Sequence, residues 1–237
     1  MIIGAIVFIA WLGAWFFLSG ASQKSWNYVE DTVIETAAEQ GFRVENILIE
    51  GRINTDLELL RALINTDQGD PLLDFDPEAV QPLIQKISWV RNAIVLRRMP
   101  DTIHVMLDEY EPYALWQNQG KVVVIGDDGT VLTDKLREDF SDFIILTGQN
   151  APLHVQGLVE LLNAEPLIKN QVEGAIWVGD RRWDLNLKNG KKVSLPATDI
   201  GFAIRRLAVA QEEDDIFSKD IQVIDLRETD RIIVESR

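Results

Sequence analysis

The chain has 237 residues, of which 46% are apolar, and this leaves room for one large domain or two small ones. Its 38 acidic and 23 basic residues give a net charge of −15. This charge argues against a nucleic-acid-binding protein, which needs a basic face, and against broad docking on an anionic membrane surface. The sequence has no cysteine, which excludes disulfides, thiolate nucleophiles and cysteine-ligated metals.

The first element in chain order is an uncharged and almost wholly apolar segment, Ile2–Ala21. Twenty helical residues span about 30 Å, which is the thickness of the hydrocarbon core of a bilayer. The alternative is a cleaved signal peptide, because Ser19-Gly20-Ala21 has the small residues of a cleavage site. The apolar run is longer than in a usual signal peptide, so we favour a retained transmembrane anchor over residues 1–24. No basic residue precedes the segment, so its orientation and the native start of the chain stay open.

Residues 25–111 follow the order strand–helix–helix–strand–strand after a linker helix. The clearest signals are the helix starts: Thr55 opens a Thr-x-x-Glu capping box, and Asp76 stands before Pro77. The predicted elements are a linker helix over 25–41, a strand from Phe42, helices from Thr55 and Asp76, and strands Ala93–Arg97 and Thr102–Glu109. Two helices on one sheet face make a complete two-layer core, so we predict a domain over residues 42–111.

From Pro112 the pattern becomes rich in strands. Asn189-Gly190 is the strongest hairpin signal, because a two-residue hairpin turn needs residues that accept positive φ. The predicted strands lie in "ALWQN", "KVVVIG", Val131-Leu132, "FIILTG", "GAIWVG", the two arms of this hairpin and the terminal stretches, and the helices cover Pro152–Glu165 and Ile200–Gln211. We predict a long, mostly antiparallel sheet with helices on one face, forming a β domain over residues 112–237.

The sequence carries no motif of catalytic chemistry. It has no glycine-rich phosphate loop, no Gly-x-Ser-x-Gly and no His-Glu-x-x-His. The two histidines, His104 and His154, lie far apart in sequence, and acidic pairs such as Asp127-Asp128 fall at turns, where carboxylates are usually solvated. We therefore predict that the protein is not an enzyme and uses no cofactor, metal, nucleic acid or small-molecule substrate.

Two arginine pairs, Arg97-Arg98 and Arg181-Arg182, stand out in this acidic chain. One interpretation is surface ion pairing, which contributes little, about 0–1 kcal/mol for each pair. The other is a fork that recognises carboxylates, for which the planar donors of arginine are suited. Both interpretations stay open for Arg181 and Arg182, which lie at the mouth of the predicted long hairpin.

The last stretch, Arg231–Glu235, is predicted to be a strand with little sequence after it to cover its outer edge. Unpaired backbone N–H and C=O groups on such an edge invite another chain to pair, so the edge is either blunted or used. On a strand, Ile232 and Val234 face one way, and Arg231 and Ile233 face the other.

Six segments together carry a resemblance to a known family. They are "VENILIEGRINT", "GDPLLDFDPEAV", "ISWVRNAIVLRRMPDTIHVMLDEYEPYALW", "VIGDDGTVL", "RRWDLNLKNGKKVSLP" and "VIDLRETDRIIV". Singly these motifs are loose, but in this order and behind one apolar segment the chain resembles the FtsQ/DivIB family of bacterial cell-division proteins along nearly its whole length.

The resemblance implies an α+β protein of the bacterial inner membrane. Its expected parts are a single N-terminal transmembrane helix, a POTRA domain at about Phe42–Tyr110 and a mostly antiparallel β domain with flanking helices, both domains in the periplasm. It also implies a non-enzymatic, bitopic divisome scaffold that holds FtsB and FtsL, among other division proteins, during septum formation. The POTRA side is expected to act in recruitment to the division site.

In the family, the last strand of the β domain receives a strand from FtsB. The partner-binding residues that this implies are Arg181, Arg182, Arg227, Glu228, Arg231, Ile232, Ile233 and Val234. Two alternatives remain. An outer-membrane biogenesis or secretion factor also carries POTRA domains, but usually several of them or a following barrel. A tethered cell-wall hydrolase would need a nucleophile or a metal set that the sequence does not present.

Overall fold

The structure, a computed structural model, describes residues 32–236 and divides into two compact units that meet in sequence between Glu109 and Tyr110. The predicted anchor over residues 1–24 and the start of the predicted linker helix lie outside the described residues. Residues 32–39 are helical. Within the described range, no helix is both long enough and apolar enough to cross a membrane.

The first unit is a three-stranded sheet with two helices. Its elements are β1 (Asn46–Glu50), α1 (Leu57–Ile64), α2 (Pro77–Ile84), β2 (Val90–Arg98) and β3 (Thr102–Glu109). The strand order is β1-β3-β2, in which β1 runs parallel to β3 and β2 antiparallel to it. The predicted order of elements is confirmed.

The helices of the first unit pack on one sheet face because their apolar residues recur at helical spacing. Leu60 and Ile64 of α1 and Ile84 of α2 are buried in one core together with Ile103 and Val105 of β3. The fully buried Ile103 and Val105 alternate with more exposed residues along β3, as expected for a sheet with one covered face.

Two local predictions in this unit are wrong. The predicted N-cap of α1, Thr55, is wrong, because Thr55 is buried and Asp56 caps the helix instead. The Oδ1 of Asp56 accepts hydrogen bonds from the N–H groups of Glu58 and Leu59 at 2.8 and 3.3 Å. The first strand begins at Asn46 rather than Phe42, because the backbone of Val44 bonds instead to residues 69 and 70.

The second unit is a nine-stranded sheet with three helices. Its elements are β4 (Pro112–Asn118), β5 (Lys121–Gly126), β6 (Val131–Thr133), β7 (Ile145–Thr147), α3 (Val155–Ala164), α4 (Pro166–Lys169), β8 (Val172–Val178), β9 (Arg182–Leu187), β10 (Lys192–Ser194), α5 (Ile200–Asp214), β11 (Val223–Asp225) and β12 (Ile233–Glu235). The strand order is β12-β11-β10-β9-β8-β7-β4-β5-β6.

This sheet is mixed rather than antiparallel throughout. The pairs β4–β7, β7–β8 and β10–β11 are parallel, and the other five pairs are antiparallel. Two of the parallel pairs are joined through helices, α3 and α4 between β7 and β8, and α5 between β10 and β11. A helix returns the chain to the end of the sheet from which it came, so the next strand runs parallel.

The core of the second unit lies between this sheet and its helices. Leu158 of α3 and Leu207 of α5 are buried in one cluster with Leu185, Val193 and Ile224, which lie on neighbouring strands. These strand residues are register partners, so they mark one sheet face as the core face at β9–β11. The side chains that alternate with them lie on the opposite face.

Candidate functional site

Strand β12 stands at one end of the nine-stranded order and, within residues 32–236, pairs only with β11. It covers Ile233–Glu235 and not the predicted Arg231–Glu235, so the predicted start is wrong by two residues. The reason is that β11 offers only Val223–Asp225 for pairing. The pairing with β12 ends after Asp225, because the N–H of Arg227, which would face β12 in a continued strand, bonds to the Asp225 carboxylate.

The phase of the hydrogen bonds between β10 and β11 shows which backbone groups face which neighbour. The N–H of Lys192 donates to the C=O of Gln222, and the N–H of Leu226 donates to the C=O of Ser194, both at 2.9 Å. In a regular strand, alternate residues bond to the same neighbour. Ile224 lies two residues before Leu226, so its backbone faces β10. Gln222 stands just before the strand, and its N–H donates instead to the C=O of Glu235 on β12 at 2.8 Å.

It follows that Val223 and Asp225 turn their backbone groups toward β12, where their register partners are Glu235 and Ile233. Val234 lies between these two partners. Its N–H and C=O therefore point away from β11, toward the outer edge of the sheet. The edge thus presents the backbone of Val234 to any strand that might be added there.

The side chains of the edge alternate as the sequence predicted. Ile232 packs partly buried against the core, and Val234 shares the core face with its register partner Ile224. Ile224 is fully buried, yet Val234 is 46% exposed, since no further strand lies beside it in the described part of the chain. Ile233, 40% exposed, lies on the opposite face beside Asp225.

That opposite face of β9–β12 carries a row of register partners, Asp184, Ser194, Asp225 and Ile233, and we call it the polar face. The Asp184 carboxylate is only 3% exposed. It lies 3.4 Å from Arg182 Nε and 3.0 Å from Lys192 Nζ, which contact its two different oxygens. A buried carboxylate needs such charged donors, because desolvation of an unpaired charge is costly.

A second ion pair, between Asp225 and Arg227, lies on the same face. Arg227 Nε is 2.9 Å from both carboxylate oxygens, and Nη2 adds a short contact to Oδ2. The hydrogen bonds from Arg227, with a further contribution from the charge of Arg182, hold the pKa of Asp225 below its ordinary value. In return, the hydrogen bond to Asp225 raises the pKa of Arg227, and the charge of Asp184 adds to this.

The remaining predicted site residues lie in loops at the borders of this face. Arg181 is exposed in the turn between β8 and β9. Glu228 accepts a hydrogen bond on its backbone oxygen from Arg206 Nη1 of α5 at 2.8 Å. Arg231 is exposed, and its Nε approaches Asp230 only to 4.0 Å. The structure thus brings Arg182, Arg227 and Ile233 onto one face and places Arg181, Glu228 and Arg231 around it.

Three residues of this arrangement were not predicted from the sequence: the acidic Asp184 and Asp225, and Lys192. A signal for Asp184 was present, because in "WDLNL" it alternates with the core residues Trp183 and Leu185 and so had to lie on the polar face. Its burial was not predictable in this way, since it depends on the side chains of two neighbouring strands.

The turn that carries Arg181 is held by a local network. Gly179 and Asp180 both have positive φ, of 58° and 57°. Asp180 Oδ1 accepts hydrogen bonds from Asn150 Nδ2 at 3.0 Å and Trp177 Nε1 at 2.8 Å, and these bonds lower the pKa of Asp180. His154 stacks on Trp177 with ring centroids 4.1 Å apart. His154 therefore serves packing at this turn.

The other histidine, His104 of β3, lies in the first unit with its Nε2 3.2 Å from Glu50 Oε2. Among the residues that the structure describes, no three His, Asp or Glu side chains are grouped so as to hold a metal ion.

Both units match models of known protein families. The FtsQ-type POTRA domain model matches residues 42–110, and the model for the C-terminal part of the cell division protein FtsQ/DivIB matches residues 114–227. The cell division protein FtsQ of Rickettsia bellii is 30% identical over 209 residues, which cover 88% of this chain and 78% of the relative. That of Bartonella bacilliformis is 32% identical over 225 residues, covering 93% of this chain and 72% of the relative.

Among solved structures, the major extracytoplasmic domain of the trans isomer of the cell division protein DivIB from Geobacillus stearothermophilus matches 46% of this chain and 97% of that chain. Its identity is 16% and its TM-score 0.33, and a score this low carries no argument. The family is shown by the two domain models and by these two relatives, which are at least 30% identical over more than two thirds of their length. The chain belongs to the FtsQ/DivIB family of bacterial cell-division proteins.

Proposed function

We propose that this cell-division protein is a bitopic scaffold of the divisome that holds FtsB, and with it FtsL, through its second unit. The family consists of non-enzymatic scaffold proteins, so its members act by binding. The FtsQ-type description of the POTRA match favours this function over outer-membrane biogenesis or secretion.

The single observation that supports FtsB binding is the outer edge of β12. There the backbone N–H and C=O of Val234 point away from β11, and its side chain is half-exposed on the core face. A strand added at this edge gains main-chain hydrogen bonds, and the apolar side chains at alternate positions give it specificity. FtsB is the proposed source of that strand.

The proposed binding surface extends from the edge to the charged groups beside it. It comprises Arg181, Arg182, Arg227, Glu228, Arg231, Ile232, Ile233 and Val234. Arginine donors in this set would pair with acidic side chains of the incoming chain, which contributes specificity and association rate more than affinity.

The proposed organisation of the whole chain places both units in the periplasm. Residues 1–24 form the anchor in the inner membrane, 25–41 a linker helix, 42–111 the POTRA domain and 112–237 the β domain. The uncharged segment Ile2–Ala21 supports the anchor, and the POTRA domain is proposed to act in recruitment to the division site.

The test is a pair of substitutions at one position. Val234→Pro removes an N–H that faces the outer edge, and proline is tolerated at such a position of an edge strand. Val234→Ala removes most of the side chain but keeps the N–H. The full chain in mild detergent is titrated with FtsB of the same bacterium. We expect Val234→Pro to weaken binding at least about tenfold and Val234→Ala less than about threefold, because a lost main-chain hydrogen bond and the steric block of the ring act together.

Circular dichroism and thermal unfolding check that both variants stay folded. If folded Val234→Pro protein binds FtsB with the affinity of the parent chain, strand addition at β12 is wrong. If both variants bind equally weakly, the side chain and not the backbone carries the interaction.

A further inference from the structure

The buried carboxylate of Asp184 is unusual in its position. It lies on the polar face, away from the apolar core, and yet the residue is 2% exposed. One of its oxygens faces Arg182 and the other faces Lys192. Arg182 lies two residues before it on the same strand, β9, and Lys192 lies on the neighbouring strand β10.

The surrounding charges do not cancel. Arg182, Lys192 and Arg227 supply three positive charges, and Asp184 and Asp225 supply two negative ones, which leaves one positive charge in a chain of net charge −15. This group of five side chains is called the charged cluster below. Glu228 lies beside Arg227 and raises its pKa slightly, but Glu228 is itself exposed to solvent.

Donors of the charged cluster remain available. Arg182 contacts Asp184 through Nε, and within the described residues its Nη1 and Nη2 have no acceptor. The side chain of Arg182 is 17% exposed, that of Lys192 45% and that of Arg227 53%, so Arg182 is the most enclosed of the three donors. A guanidinium that is fixed at Nε presents its two outer nitrogens in the parallel arrangement that matches a carboxylate.

We propose that Asp184 is a positioning residue for partner recognition: it holds Arg182 and Lys192 on the polar face so that, with Arg227, they receive a carboxylate of an acidic segment of the partner. This inference rests on the proposed function, since the partner is the chain that adds a strand to β12.

The geometry further defines that acidic segment. A strand added outside β12 would lie four strand spacings from β9, about 19 Å at roughly 4.8 Å per strand, which is beyond the reach of a side chain on the added strand. The acid must therefore be carried by residues that flank the added strand and cross the polar face over β10 and β11. Ile233, at the end of the same cross-strand row, provides an apolar contact on that path.

The sign of the effect of Asp184→Asn separates positioning from simple electrostatics. The substitution preserves shape but removes a negative charge, so an electrostatic effect alone would strengthen the binding of an acidic partner. If Asp184 positions Arg182 and Lys192, the substitution leaves these two cations disordered. The cost of that disorder exceeds the electrostatic gain, and the affinity for the partner falls. The full chain in mild detergent is titrated with the same FtsB, and we expect the Kd to rise about tenfold.

A double-mutant cycle with Arg182→Gln tests whether Asp184 acts through Arg182. We expect the double variant to lose less affinity than the sum of the two single losses, because one of the two residues that Asp184 positions, Arg182, is already lost. Additive losses in the double variant, or a Kd of Asp184→Asn equal to or below that of the parent chain, would overturn the proposal.

Controls keep the test decisive. Glu165→Gln is the matched control, because Glu165 also is a largely buried carboxylate, 15% exposed, that pairs with an arginine, Arg205, at 2.8 Å. It should leave the Kd unchanged. If Asp184→Asn does not fold, the half-exposed Lys192→Gln replaces it, with an expected rise in Kd of about threefold or more, and parent-like binding by this variant overturns the proposal. Parent-like binding by Val234→Pro would instead overturn the proposed function.

Discussion

At the scale of single residues, Glu109 organises the loop that follows β1. Its carboxylate accepts the backbone N–H groups of Ile53, Asn54 and Thr55 at 3.1, 2.6 and 2.9 Å. Partial burial acts to raise the pKa of Glu109, but hydrogen bonds from Thr55 and from the backbone of Asn54 and Ile53 outweigh burial and lower it below its ordinary value of 4.5.

A lowered folded-state pKa means that the ionised group stabilises the folded unit at pH values above its ordinary pKa, and that this contribution is lost as the pH falls through the folded value. We expect Glu109→Gln to reduce the free energy of unfolding by about 1–3 kcal/mol at pH 7, the range for hydrogen bonds to charged groups. The difference from the parent chain should shrink below pH 4.5. Urea unfolding at a series of pH values measures both, with the exposed neighbour Asp108→Asn as control. A difference that stays constant down to pH 3 would contradict this role.

Gly51, the first residue of the same loop, is required by space as well as by conformation. A Cβ built there would lie 1.9 Å from the carbonyl oxygen of Leu107, and the residue has φ of +76°. Gly41 has φ of +99° but open space around it. We expect Gly51→Ala to lower the free energy of unfolding by about 2–4 kcal/mol and Gly41→Ala by about 1 kcal/mol, since only the former adds a steric clash to backbone strain. Thermal unfolding compares the stabilities of the two variants. Equal losses of unfolding free energy would show that the backbone near Leu107 moves to make room for the added Cβ.

At the scale of elements, the hairpin of β9 and β10 supports the segment that leads into β11. Lys191 Nζ donates to the carbonyl oxygens of Lys219 and Ile221 at 2.7 and 2.8 Å, and Asn189 Nδ2 donates to that of Phe217 at 3.2 Å. Strand β11 has three residues and is the neighbour on which β12 depends. The support of the outer edge therefore begins at the hairpin turn.

Lys191→Met tests this support, because it keeps most of the apolar stem and removes the ammonium donor. We expect the backbone amides of Val223–Asp225 to exchange about tenfold faster, which corresponds to a local loss of about 1.4 kcal/mol. Lys188→Met in the same turn is the control, because its ammonium has no such contact among the described residues. Hydrogen exchange followed by mass spectrometry gives the rates, and unchanged protection of β11 would refute the link.

The sequence predicted the elements well wherever the signal is local. Asp76 with Pro77 caps α2 as expected, and the turn at Asn189-Gly190 joins β9 to β10. It failed where the outcome depends on distant partners. The parallel pairing of β10 with β11 follows from how α5 returns across the sheet, and the cap of α1 moved to Asp56 because Thr55 is buried. Within the candidate site, alternation along β9 could have placed Asp184 on the polar face, although it was not predicted, and its pairing with Lys192 on the next strand left no trace in local sequence.

At the scale of the whole molecule, the proposed partner would meet both the charged cluster and the sheet edge. Most of the surface of a chain with net charge −15 repels an acidic polypeptide, but the charged cluster beside β12 attracts it locally. At 0.15 M ionic strength, charges more than about 8 Å apart are largely screened, so the local attraction acts mainly after first contact. Under the proposed function, specificity for the partner would therefore come from contacts at the outer edge of β12 and at the charged cluster.

A scaffold that binds through two separate surfaces makes a genetic prediction that an enzyme does not. Under the proposed function, Val234→Pro should lose FtsB while the proposed anchor and the proposed recruitment by the POTRA domain still bring the chain to the division site. When overproduced in cells that also make the parent chain, the variant should compete for that place by mass action and inhibit division, giving filamentous cells. Microscopy of cell length measures this effect, with Val234→Ala at the same protein level as control. A variant chain that occupies the division site without FtsB must displace a parent chain that carries FtsB. If overproduced Val234→Pro localises to the septum and yet leaves cell length unchanged, recruitment and FtsB binding are not separated as proposed.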